Sequence, residues 1–328
     1  MLNAAAKLST KIFADDIEKV PTRDGFGRGS VEAGGKDPRI VVLCADLTES
    51  TRAEWFQKEF PERFIEMGIA EQNMAGVAAG MAAAGKIPFI TSYAAFNPGR
   101  NYEHIRTTIA LNQVPVKICG MHAGVSVGPD GATHQMLEDI GLMRMLPGMT
   151  VLVPGDAEEA RKAVVAAAAV DGPVYIRFGR AATPVFTTSE TPFQIGKSLL
   201  LWESDAPKVA FLSTGSLAHA ALMAARALSA EGIESIVLHM PTVKPLDEAM
   251  VLAVAKRAGR VVTIEEHQAA GGFGSAVAEF LSQQHPVPMR LLGVADMFGQ
   301  SGTPDELLSH YGLDAVHIKE AAQALVAV

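Results

Sequence analysis

Two short segments carry the side chains of this chain best suited to proton transfer. In Met67-Gly68-Ile69-Ala70-Glu71-Gln72-Asn73 a carboxylate follows a short apolar run and opens a stretch of small residues at helical spacing. A helix N-terminus carries positive partial charge, so a glutamate there is stabilised in its ionised form. In Gly128-Pro129-Asp130-Gly131-Ala132-Thr133-His134-Gln135 an acid and an imidazole share a glycine-rich loop. That pairing suits hydroxyl binding and acid–base work, and neither segment contains a phosphate cradle. Each also has a plainer reading. Glu71 alone would pass for an N-terminal helix charge, and the loop for an Asp turn followed by Thr133 capping the next helix. The plainer reading leaves His122, Asp130 and His134 converging on one loop without a reason.

The elements that must position these residues alternate in type. Strand character recurs at 40–44, 63–66, 87–90, 116–119, 150–153 and 174–177, with helical spacing at 52–59, 72–84, 100–112, 135–145 and 157–170. Strand and helix in alternation imply right-handed crossovers and a mostly parallel sheet. The loop after 116–119 then lies beyond strand C-termini, where open parallel sheets bind ligands, and polar residues set there by a rigid sheet are commonly functional. Thr, Pro and Ser break the pattern over 181–197. A smaller α/β pattern follows, with strands at 209–213, 235–239, 260–265 and 289–292 and helices at 218–229, 247–258 and 274–283. The turn-like Val243-Lys244-Pro245-Leu246-Asp247 punctuates it. The expected division is a first domain over 1–186, a linker over 187–197 and a second domain over 198–328.

Composition excludes several classes. At 328 residues the chain is long enough for two cores, and its formal net charge of −8 argues against nucleic acid as a partner. No apolar stretch is long enough to cross a bilayer, and residues 1–11 lack the pattern of a signal peptide, so a cytoplasmic location is expected. Cys44 and Cys119 each end an apolar run and read as buried free thiols.

Residues 67–73, Thr91-Ser92-Tyr93-Ala94-Ala95-Phe96 and 128–135 closely resemble the pyrimidine-binding domain of transketolases. Residues from about 209 to 292 resemble the transketolase C-terminal domain, so the likeness covers nearly the whole chain. The resemblance implies two doubly wound α/β domains, a mostly parallel-sheet pyrimidine-binding domain for thiamine diphosphate and a smaller C-terminal-like domain. It implies that Glu71 bonds the aminopyrimidine ring nitrogen, that Tyr93 and Phe96 hold that ring, and that Asp46 lies near the thiazolium. Tyr93 stands where phenylalanine is usual and brings a hydroxyl that needs a partner. Asp130 and His134 correspond to residues at the donor sugar's hydroxyls, His134 beside the reacting carbon. Arg23, Ser50, His122 and Arg180 correspond to contacts of the sugar phosphate. Without the resemblance, the aromatics read as core and the arginines as surface charges.

Absence is informative too. The family's separate diphosphate domain holds its divalent metal with a Gly-Asp-Gly motif, and this sequence has only Gly155-Asp156-Ala157, which reads as a helix cap. The expectation is the C-terminal subunit of a split transketolase, active only with an N-terminal subunit that brings the diphosphate and Mg2+ site, this chain binding no metal itself. An α2β2 heterotetramer would result, with the small-residue surface around Gly76, Gly80 and Ala83 as a contact. Two alternatives stay open, the beta subunit of a 2-oxo acid dehydrogenase and a deoxyxylulose phosphate synthase-like fragment. The first generally lacks the Asp-Gly-x-Thr-His loop, and the second usually has cysteine where Gln135 stands. A regulatory subunit would be expected to lose Glu71 or His134. Departures at 97–102 and after His122 leave the sugar open. Glu265-Glu266-His267 to Ser275 only weakly resembles a nucleotide loop and is assigned a structural role, with no chemistry for His267.

Overall fold

Short β-branched runs become the strands of two open sheets, and alanine-rich stretches become the helices that cover them, in a computed structural model that describes residues 1–327. Val328, the end of the expected second domain, lies outside the described residues. The first half supplies β1 (Lys19–Pro21), β2 (Ile40–Cys44), β3 (Phe64–Glu66), β4 (Ile87–Tyr93), β5 (Lys117–Met121), β6 (Thr150–Leu152), β7 (Val174–Arg177) and β8 (Ala182–Pro184). Its helices are α1 (Thr22–Lys36), α2 (Ala53–Glu59), α3 (Glu71–Ala83), α4 (Tyr102–His104), α5 (Asp139–Arg144) and α6 (Ala157–Ala168). The second half adds β9 (Leu199–Trp202), β10 (Val209–Ser213), β11 (Ser235–His239), β12 (Thr242–Lys244), β13 (Val261–Gln268) and β14 (Met289–Val294). Its helices are α7 (Leu217–Ala230), α8 (Glu248–Ala258), α9 (Phe273–Gln284), α10 (Pro304–His310) and α11 (Ala315–Val326).

Seven strands form the larger sheet in the order β12-β6-β7-β5-β4-β2-β3, and five form the smaller in the order β14-β13-β10-β11-β9. Only β12 and β9 run antiparallel to their neighbours in these two sheets. The fold is the two-unit α/β architecture that the alternation predicts. A sheet covered on both faces buries every residue of its central strands. Accordingly Val41 and Leu43 of β2 join one cluster with α3, while Ile40, Val42 and Cys44 join another with α1, α2 and α6. The first cluster continues to Leu212 and Ile236 in the smaller sheet, so one apolar core runs between the two halves.

Several expected elements differ. Helix α1 is not among the expected helices, because its glycines disfavour a helix locally, yet close packing requires them. A Cβ on Gly25 would lie 2.3 Å from the Ala157 carbonyl oxygen, and one on Gly29 would lie 2.8 Å from that of Arg161. The helix expected at 100–112 is a single α turn that continues as a π-helix over Ile105–Ala110. The helix expected from 135 begins only at Asp139, because Met136 is drawn into a bridge with Ala123, so Thr133 caps no helix and His134 sits in a turn. The stretch 181–197 begins with β8, which pairs antiparallel with β1. The turn expected at 243–247 opens instead with β12, whose Thr242 and Val243 are buried and which pairs with β6 at the edge of the larger sheet. Pro245 follows directly, a position that an edge strand tolerates.

Candidate active site

Strands β2, β3, β4, β5 and β7 point their C-terminal ends to one edge of the larger sheet, and the expected site residues lie just beyond those ends. Asp46 and Ser50 follow β2, Glu71 follows β3, Tyr93 ends β4 and Phe96 lies in the turn after it, His122, Asp130 and His134 follow β5, and Arg180 follows β7. Arg23 arrives at the same edge on the first turn of α1.

Glu71 is the first residue of α3, and its side chain is only 1% exposed. Its surroundings are not wholly apolar, because Arg100 Nη1 donates to Oε2 at 2.7 Å. The other oxygen, Oε1, has only the Ser92 hydroxyl at 3.5 Å and retains acceptor capacity. Asn101 Nδ2 donates to the Glu71 carbonyl at 3.1 Å, which fixes the start of the helix. Beside this carboxylate, Tyr93 and Phe96 stack with centroids 6.1 Å apart, and Arg100 lies over the Phe96 ring. Phe96 meets the His134 ring edge-on at 5.5 Å. The Tyr93 hydroxyl finds its partner in Ser50 Oγ at 2.8 Å.

Tyr93 also lines a cleft of about 610 Å³ together with Arg23, Asp46, Ser50, Arg52, Asp130 and Arg180 among others. Arg23 Nη1 donates to the Ser50 carbonyl at 2.8 Å and to His122 Nε2 at 3.1 Å. Arg180 donates to the Val127 carbonyl at 2.9 Å, and Arg52 pairs with Asp24. Asp46 is exposed, and the loop that carries it is braced by Glu66, which accepts from the Asp46 N–H and the Thr48 hydroxyl. Three guanidinium groups facing one cleft suit a tetrahedral anion.

His122 is not one of the cations. Burial first, and then Arg23 and Arg180, push its pKa from 6.5 down to about 3. With Nε2 accepting from Arg23, the proton belongs on Nδ1, which is buried without a hydrogen-bond partner among the described residues. A neutral imidazole in the fold takes up a proton only in the unfolded chain, so stability should fall as the pH drops below 6.5 and stop falling near 3. At pH 4.5 the loss should be roughly 2 to 3 kcal/mol. Urea titrations at pH 7.5 and 4.5 check this: His122→Gln should shrink the difference between them, and an undiminished acid sensitivity would refute the assignment.

The sequence pattern brought out neither Arg52 nor the Arg100 pairing, since each depends on a contact across a crossover. It also missed Gln135 as an anchor, whose amide donates to the carbonyls of Val125, Gly128 and Gln300. In the second half, Glu265 accepts from the N–H groups of Phe273 and Gly274 at 2.7 and 2.8 Å, which fills the N-terminus of α9 where a nucleotide phosphate would otherwise sit. Among the described residues no group of three or more His, Cys, Asp or Glu side chains is arranged to hold a metal ion, and no helix is long and apolar enough to cross a membrane.

Comparison with known proteins adds independent findings. Residues 18–185 match the family described as transketolase, pyrimidine binding domain, and residues 199–318 that described as transketolase, C-terminal domain. The chain is 43% identical over 300 residues to a putative transketolase C-terminal section of Methanocaldococcus jannaschii, which spans 90% of this chain and 93% of the relative. It is 41% identical over 310 residues to a 6-deoxy-6-sulfo-D-fructose transketolase subunit of a Clostridium species, which spans 94% of this chain and 96% of that subunit. A solved structure described as a split gene transketolase, inactive beta4 tetramer, matches with a TM-score of 0.87 and 45% identity over 94% of this chain and 99% of that one.

Proposed function

This chain belongs to the transketolase family, and from that premise we propose that it is the C-terminal subunit of a cytoplasmic two-subunit transketolase that moves a two-carbon ketol unit from a ketose phosphate to an aldose phosphate. One observation carries the reading: Phe96, stacked on Tyr93, has Arg100, the partner of Glu71, over its face and His134 at its edge. Cofactor-binding and sugar-binding candidates therefore meet at one aromatic pair.

The residues fit the pyrimidine of thiamine diphosphate. Glu71 has an acceptor oxygen to spare, and the two aromatics offer a face for a planar ring. When bound, the cofactor supplies the electron sink that lets the bond beside a ketose carbonyl break. Glu71 holds a proton shared with the ring nitrogen at Oε1, and Asp130 and His134 bind hydroxyls beside the reacting carbon. Arg23, Arg180 and Arg52, with Ser50 and the Nδ1–H of His122, hold the anionic end of the sugar, while Asp46 lies towards the thiazolium. Phosphate and sulfonate both suit that cleft, and the relative named for a sulfofructose keeps both in view. The three guanidinium groups that face this cleft also favour a sugar phosphate over a 2-oxo acid.

The diphosphate and Mg2+ belong to an N-terminal subunit, and two such pairs form an α2β2 heterotetramer. The similar structure described as a split gene transketolase, inactive beta4 tetramer, supports the half-enzyme reading. Gly76 and Gly80 of α3 face open space, which leaves a flat surface for assembly.

Calorimetry tests this. With thiamine diphosphate and magnesium, this chain alone should give no heat of binding, and the mixture with an N-terminal subunit should bind tightly. Tight magnesium-dependent binding by the chain alone would overturn the half-enzyme reading.

A further inference from the structure

The second half of the chain reaches into the candidate site without touching the reacting groups. We propose that the end of β13 and residues 299–302 form the template that shapes the loop 124–135, with Glu266 as a positioning residue for Asp130 and His134. The proposal rests on the reading of that loop as the donor-sugar site.

Both ends of the loop are held by consecutive residues of one strand. At its start, Glu266 Oε1 accepts from the Ser126 N–H at 2.6 Å. A Cβ on Gly124, which has φ +90°, would lie 2.3 Å from that same oxygen, so the backbone wraps the carboxylate as only glycine allows. Just beyond its far end, the Gln268 N–H donates to the Leu137 carbonyl at 2.9 Å, and the Gly141 N–H donates to His267 Nε2 at 3.2 Å. Arg177 ties these together, donating to the Glu266 carbonyl at 2.7 Å and to Asp139 Oδ2 at 2.8 Å.

The middle of the loop rests on the second segment. Gln135 Nε2 reaches the Gln300 carbonyl at 2.9 Å as well as two carbonyls of its own loop. A Cβ on Gly131 would lie 2.8 Å from Ser301 Oγ, and one on Gly128 would lie 3.3 Å from the Gly302 carbonyl oxygen. Asp130 itself is exposed and His134 half-buried, so their placement is inherited from these anchors. Loops are the soft parts of a fold, whereas a group that binds a reacting sugar must be held to a fraction of an ångström. A carboxylate buried at this junction is costly for stability alone, which is why its contact with the loop matters.

The assembled enzyme provides the test, with whichever of fructose 6-phosphate and 6-deoxy-6-sulfofructose it turns over faster. Glu266→Leu removes the acceptor, Glu266→Asp withdraws it by one methylene, and Glu266→Gln keeps an oxygen in place. The Leu and Asp variants should lower kcat/KM by roughly ten- to a hundredfold, chiefly through donor KM, and Gln should stay within about threefold of wild type. Thiamine diphosphate affinity should not change in any of them. In an Asp130→Ala, His134→Ala background the effect of Glu266→Asp should shrink below about twofold, because it acts only through those side chains. If the Leu variant fails to fold, the Asp variant and its cycle carry the test. A wild-type donor KM in the Glu266→Leu and Glu266→Asp variants, or an undiminished effect in the double background, overturns the proposal. If the Asp130→Ala, His134→Ala enzyme itself keeps its donor KM, the loop reading falls and the proposal with it.

Discussion

Glu71→Ala in the reconstituted enzyme should lower kcat by about a thousandfold or more while the fold persists. The carboxylate is almost fully buried and fixed twice over, by the first turn of α3 and by Arg100. Its Oε1 faces no strong donor of the protein, so the position is prepared for a hydrogen bond that only a ligand supplies. Such a bond matters most when the proton is shared during reaction, so the loss should appear in kcat and only weakly in donor KM. The fold should tolerate the change because Arg100, the partner left behind, is 45% exposed and can be hydrated. Glu71→Gln separates shape from proton control, since it fills the same space and still cannot share a proton in the same way. Turnover by both variants, with cofactor affinity by calorimetry and a thermal melt, checks the prediction. Turnover near wild type in the alanine variant would remove Glu71 from the chemistry.

The candidate residues were legible because they lie in segments whose local chemistry is specific. Glu71 announces itself as a charge at the mouth of a small-residue helix, and the spacing from Asp130 to His134 survives in a loop that β5 must deliver to the sheet edge. What was not legible depends on contacts between distant segments. The Arg100 pairing needs α3 and the turn after β4 to meet. The neutrality of His122 follows first from its burial and then from arginines on α1 and after β7, none of which a window around His122 reveals. Helix α1 was hidden because its glycines serve the contact with α6 while disfavouring the helix locally. Strand β12 was hidden because three residues before a proline carry too weak a pattern to name their partner sheet.

Asp139→Ala should destabilise the chain by about 3 to 5 kcal/mol, the cost of removing one member of a buried ion pair. Asp139 Oδ2 accepts from Arg177 Nε at 2.8 Å and from the Tyr175 hydroxyl at 2.7 Å, and both side chains are buried between the two halves. Alanine would leave a largely buried guanidinium with Glu266 as its main remaining counter-charge and a fully buried phenol without its acceptor. Asp139→Asn keeps a hydrogen-bond acceptor and should cost about half as much. Urea unfolding of both variants measures this, and a loss below about 1 kcal/mol for alanine would mean that the pair contributes little. The same pair sits where β7, α5 and the end of β13 meet, just beyond the loop that carries Asp130 and His134. Its removal should therefore also loosen that loop. In the asparagine variant, folded at assay temperature, donor KM should rise more than cofactor affinity falls, which separates a displaced loop from a generally weakened protein.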